Sequence, residues 1–126
     1  MRKVFSVIYM LIFALLLTAC GKTPDFNGSR TGNDKEFIME YSVFNTTDGQ
    51  ELVAETGDII HAKIVVESGS LLIKIQKDDE EPIYESSDIT ISEEFDVDID
   101  ESGTYAITVT GVKAKGSIRF TVENNQ

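Results

Sequence analysis

Residues 93–109 read E-E-F-D-V-D-I-D-E-S-G-T-Y-A-I-T-V, and their period decides the fold. Phe95, Val97 and Ile99 alternate with Glu94, Asp96, Asp98 and Asp100, and after Ser102-Gly103 the alternation resumes with Tyr105, Ile107 and Val109. A strand turns successive side chains to opposite faces, so a period of two describes a sheet with one dry face and one wet face. Outward from this stretch the same period recurs. Phe37, Met39, Tyr41 and Val43 form one series, Ile60, Ala62, Ile64 and Val66 a second, and Leu71, Ile73 and Ile75 a third after a turn at Ser68-Gly69. A charged turn from Lys77 to Pro82 leads to a short strand at Ile83-Tyr84, and Ile118, Phe120 and Val122 close the chain after a turn from Gly111 to Gly116.

No stretch beyond residue 20 has a helical period. Seven or eight short strands with turns every eight to twelve residues predict an all-β domain, an antiparallel sandwich or barrel, of which a single antiparallel β-sandwich (jelly-roll or GOLD-like) is the expectation. The inward series, with Ile89 and Ile91 added, supply the core. Burial of each such side chain contributes about 1.5–3 kcal/mol, which ordering entropy largely offsets.

The N-terminus has a different character. Arg2 and Lys3 are followed by 14 uncharged, almost wholly apolar residues, 4–17, and then by Leu17-Thr18-Ala19-Cys20-Gly21. A positive start, an apolar run too short to span a bilayer as a helix and a small-residue site make a secretory signal. The Leu-Thr-Ala-Cys sequence resembles the lipobox of bacterial lipoproteins. That resemblance implies cleavage between Ala19 and Cys20, removal of residues 1–19, and diacylglyceryl and palmitate-type acylation of Cys20. The chain would then sit on the extracytoplasmic face of the cell membrane, with the lipid bilayer as its first partner. Two or three acyl chains, at about 0.8 kcal/mol per buried CH₂, hold firmly where one does not. Cys20 is the one cysteine in the chain, so no internal disulfide forms.

Residues 20–35 lack any period and are rich in Gly, Pro, Asn, Asp, Ser and Thr, which predicts a lipidated flexible tether ahead of a domain over 36–126. Such a tether would span roughly 20 Å on average and about 50 Å at most.

Charge narrows the function further. From Cys20 onward the chain has 9 basic and 22 acidic residues, a net charge of −13. Nucleic acid and anionic surfaces repel such a domain, so nucleic-acid binding is excluded. His61 is the one histidine, placed mid-strand on the expected outer face, and one histidine with scattered acids builds no catalytic triad. Zinc sites need more His and Cys ligands than the chain offers. Counted from Asp96 as an EF-hand loop, position 6 is Glu101 and position 12 is Ile107, so the calcium motif fails. The expectation is therefore no catalytic residue, no metal and no cofactor. Without Trp, ring platforms are scarce, and Phe44 and Tyr84 are the candidate ligand contacts, with the acidic turn from Asp78 to Glu81 beside them. That turn is read first as a solvated hairpin tip and otherwise as a weak site for a hard cation. Lys113, Lys115 and Arg119 form one basic cluster, read as edge protection or as a contact for an acidic partner or headgroup.

The order of features in GDIIHAKIVVESG, SLLIKIQKDDEEPIYES, EEFDVDIDESGTYAITVTG and KAKGSIRFTVE, from Gly57 to Glu123, is similar to that of GOLD-type β-sandwiches. That resemblance implies a non-enzymatic protein-interaction module with no inherited site residues. An envelope or extracellular protein is the expected partner, and a small-ligand or glycan-binding surface lipoprotein is the alternative. Tyr105, opening its strand after Gly103-Thr104, is expected to cap a loop through its hydroxyl.

Overall fold

The computed structural model describes residues 24–124. The signal segment 1–19, the cleavage pair Ala19 and Cys20, and the first residues of the tether lie outside them. Seven strands follow in order: β1 (Phe26–Gly32), β2 (Glu36–Phe44), β3 (Thr47–Ala54), β4 (Asp58–Lys77), β5 (Tyr84–Glu85), β6 (Glu93–Asp98) and β7 (Gly103–Asn124). All pairings are antiparallel, as the period predicted.

The two longest strands carry the architecture. β4 has 20 residues and β7 has 22, and they pair along nearly their whole length. The turns expected at Ser68-Gly69 and from Gly111 to Gly116 are bends within continuous strands. They face each other across the ladder, where Ser68 pairs with Lys115 and Ser70 with Val112, and the register shifts on both sides of Ser68. Gly69, Lys113 and Gly116 take φ values of +76°, +48° and +147°, so left-handed backbone turns both strands together without reversing either. A Cβ on Gly116 would strike the Val65 carbonyl, and one on Gly69 the Lys113 carbonyl.

The extra residues at the bend also switch side-chain parity. Ile60, Ala62 and Ile64 point inward before it, and Leu71, Ile73 and Ile75 after it; all are buried in one cluster. The sheet thus folds back on itself as two layers around a shared core. One layer runs β6, β4, β7, β2, β1, and the other β5, β4, β7, β3. Phe37 and Phe120 stack in the middle at 6.4 Å.

Two strands went unread in the sequence. β1 lies within the predicted tether: Phe26 to Gly32 pair with β2 from Phe44 to Phe37, so the tether is shorter and the domain begins about ten residues earlier. Its polar residues show no period because six of its seven residues are exposed, and only Phe26 packs against the core. β3 was missed for a similar reason, since Leu52 and Ala54 are its only buried residues. Ile91, expected inside, is 76% exposed, because the chain leaves the core after Ile89 pairs with Leu71.

Candidate functional site

The two layers meet along two seams. On one side β1 and the β1–β2 turn reach across to β3. Arg30 donates from Nε to Asp48 Oδ2 at 2.8 Å and from Nη2 to the Gly49 carbonyl at 2.6 Å and Gln50 Oε1 at 3.1 Å. Its guanidinium also lies 4.8 Å from the Phe37 ring centroid. Lys35 Nζ donates to the Val53 carbonyl at 2.8 Å, and the Val53 amide to the Asp34 carbonyl at 2.8 Å. This seam is closed.

The opposite seam, between β5 and β6, is open. Tyr84 stacks on Phe95 at 4.6 Å and links the two layers there. Beside that stack lies a cleft of about 450 Å³. Ile83, Tyr84, Val97 and Tyr105 give it an apolar and aromatic lining, while Glu80, Asp96, Asp98, Asp100 and Glu101 border it with carboxylates. Lys77 is its one base, 3.4 Å from Glu80 Oε2 and 3.8 Å from Glu101 Oε1. Burial pulls the Lys77 pKa down, but the Glu80 hydrogen bond and the Glu101 charge outweigh it, so Lys77 stays cationic. The lining carries one positive and five negative charges. The Tyr105 hydroxyl donates to the Glu101 carbonyl at 2.5 Å, the loop cap that its position predicted, and holds the acidic loop 98–102 against the strand.

β6 forms one wall. Among the described residues it pairs only with 59–64 of β4, which leaves the backbone donors and acceptors of its other edge unpaired there. His61 fastens this strand from the outer face. Its Nδ1 lies 2.5 Å from Asp96 Oδ1 and its Nε2 2.7 Å from Glu94 Oε2. His61 is on the outer face as expected, but it is clamped rather than free in solvent, its side chain 27% exposed. The hydrogen bonds to Asp96 and then Glu94 raise its pKa above 6.5 against a smaller opposing effect of burial. With both ring nitrogens facing carboxylates, only the imidazolium supplies a proton to each.

Phe44, a candidate ligand contact, is fully buried. Its ring fills the space that Gly111 leaves by lacking a Cβ, and it packs on Phe26 and Tyr41 at 5.9 and 5.1 Å. Tyr84, the other candidate, does border the cleft. The basic cluster divides: Lys113 and Lys115 sit at the bend, whereas Arg119 lies further along β7, opposite Lys63 and Ile38. Among the described residues no three His, Cys, Asp or Glu side chains converge to hold a metal ion. The sequence sets the acidic turn with Glu80 beside Tyr84, and both residues line the cleft. It does not join them to Lys77 and Glu101, which gather there only when the far ends of β4 and β7 meet the loop after β6.

These features define an antiparallel β-sandwich with one sealed and one open seam. No family model matches the chain. No curated protein matches it either. Among solved structures it is similar to the Drosophila melanogaster CENP-C cupin domain, at a TM-score of 0.38 and 14% identity over 83% of this chain and 88% of that one.

Proposed function

We propose that the chain is an extracytoplasmic lipoprotein, anchored through Cys20, whose sandwich binds a basic, extended segment of an envelope or extracellular protein along the open seam without catalysing a reaction on it. The observation that carries this reading is the cleft between β5 and β6, with its aromatic wall and free β6 edge. An extended peptide adds to a sheet edge through main-chain hydrogen bonds and takes its specificity from side-chain contacts. The acidic border selects Lys and Arg in that peptide. It also works against the wrong partner: β6 presents Glu93, Glu94, Asp96 and Asp98, so two copies of this edge repel each other. The lipobox supports the anchor, and the GOLD-like order of strands supports an interaction module. Once Phe44 is buried, a glycan platform has only Tyr84 to use.

The test is titration of the full chain in detergent with a ten-residue peptide alternating Lys and Val, against its Glu-Val counterpart. Binding of the basic peptide, with NMR shifts at Tyr84 and Val97 and an affinity that falls steadily as salt is raised, is the expected result. Equal binding of both peptides, or shifts confined to another face, would defeat the proposal.

A further inference from the structure

The bend in β4 and β7 gives the sandwich two unlike poles. The β2–β3 turn reaches the bend pole, where the Gly111 amide donates to the Thr46 carbonyl and the Lys113 amide to Asn45 Oδ1. The opposite pole holds the free ends of the long strands, tied by the Thr56 amide to Ser102 Oγ at 2.9 Å and the Gly57 amide to the Ile99 carbonyl at 2.9 Å. The open acidic cleft belongs to this second pole, since Lys77 ends β4 and Tyr105 lies near the start of β7.

The described chain begins at the bend pole. Phe26 pairs with Phe44, and the Asn45 amide donates to the Asp25 carbonyl at 2.7 Å. Pro24 and Asp25 line a recess with Asn45 and Lys113. Cys20 is four residues before Pro24, a reach of at most about 14 Å, not the 50 Å that an unpaired tether would allow. β4 runs from Asp58 to Val66 between the poles, roughly 25 Å of strand. A lipid on Cys20 therefore brings the bend within reach of the bilayer and leaves the far pole well beyond it.

The bend surface suits that placement. Val112, beside Lys113 and Lys115, is 46% exposed, and Ile91, 76% exposed, lies on the other side of β4 between the Val66–Ser92 bond and the Leu71–Ile89 bridge. Asp25, Glu40 and Glu67 lie near the lysines, which are therefore opposed locally, while the far pole is acidic throughout its cleft. We infer that the bend pole is the membrane-facing surface of the anchored protein. Val112 meets the interface, Lys113 and Lys115 meet headgroup phosphates of the bilayer that holds the anchor, and the acidic seam is presented outward. This rests on the anchoring part of the proposed function.

The test is the lipidated full chain in vesicles of phosphatidylcholine and phosphatidylglycerol, with a fluorescent label on Val112→Cys or on Glu80→Cys; the lipid-linked Cys20 leaves no competing thiol. A label at 112 should be several-fold less accessible to an aqueous quencher than one at 80, and the double change Lys113→Glu, Lys115→Glu should at least halve that difference. Equal accessibility at the two positions overturns the orientation, as does a difference that the double change leaves intact. Vesicle flotation separates the two levels: a chain that fails to float removes the anchor and this inference together. A chain that floats with equal accessibility removes the orientation alone.

Discussion

The two seams of the sandwich face the same geometrical problem and solve it in opposite ways. On the β1–β3 side one arginine uses two nitrogens on three acceptors, and the turn between β1 and β2 adds further backbone bonds. On the β5–β6 side β5 has only two residues, the border is acidic, and one aromatic stack joins the layers. Closing a seam needs opposite charge or paired backbone at both edges. The open seam has like charges at its border, so it stays apart. Stability thus gathers on one side of the molecule, and the proposed binding surface lies on the other.

The largest effect that would break this contrast is a core truncation on each side. Phe37→Ala, beneath the Arg30 seam and stacked on Phe120, should lower unfolding free energy in urea by about 3–5 kcal/mol. Tyr84→Ala on the open side should cost about 1 kcal/mol, since the ring is half-buried and has one aromatic partner. Similar losses at the two positions would mean that the seams do not differ as described.

Next in size is Arg30→Ala, with an expected loss of about 1–2 kcal/mol, discounted because the side chain is 34% exposed. Glu101→Gln on the open border should change stability by less than about 0.5 kcal/mol, because its 3.8 Å ion pair with Lys77 is weak and its neighbours are like-charged. Chemical denaturation of the two variants side by side decides this.

Much of this contrast was legible in residues 93–109 and much was not. The alternating stretch gives β6, its acidic outer row and the Tyr105 cap, because each depends on residues close in sequence. The closed seam depends on Arg30 meeting Asp48, 18 positions away, from two strands whose polar residues carry no period. Gly69 and Gly116 are visible as turn formers. What turns them into bends is that they oppose each other across a ladder, and a single sequence does not show that pairing. The cleft is hidden for the same reason, since its lining comes from two stretches, 77–84 and 96–105, that meet only in the fold. The His61 clamp was hidden too, although its ladder partner Asp96 lies in the most legible stretch of all.

A smaller effect tests how dry the closed side is. The Tyr41 hydroxyl, packed beside Phe26 and Phe44, has no hydrogen-bond partner among the described residues, and burial pushes its pKa up to about 12. An orphaned buried hydroxyl costs about 1–3 kcal/mol. Tyr41→Phe should therefore leave stability unchanged or raise it by about 1 kcal/mol in thermal and urea unfolding. A clear loss would show that the hydroxyl has a partner and that this side is wetter than its packing indicates.

The smallest effect belongs to His61 and bears on the open side. Its pKa in the folded chain is raised above 6.5 by Asp96 and Glu94, so folding takes up a proton at this site. The resulting stabilisation is complete below the unfolded value of about 6.5 and is lost as pH rises through the raised folded value. Falling pH also relieves the repulsion among the other acids, so the whole-protein trend alone does not isolate His61. Glu123 on β7 adds to the field that favours the imidazolium, while Lys63 and Arg119, on the same outer face, oppose it. The difference between the native chain and His61→Gln removes the shared background. It should be largest near pH 5.5, at about 0.2–1 kcal/mol for a partly exposed pair, and shrink toward pH 9. Amide-exchange protection in Glu93–Asp98 should follow the same course while β2 stays flat, because His61 ties down an edge strand that has no neighbour on its other side. A difference that does not vary with pH would mean that the imidazolium is not what fastens β6, and the open seam would then have a wall held by its backbone ladder alone.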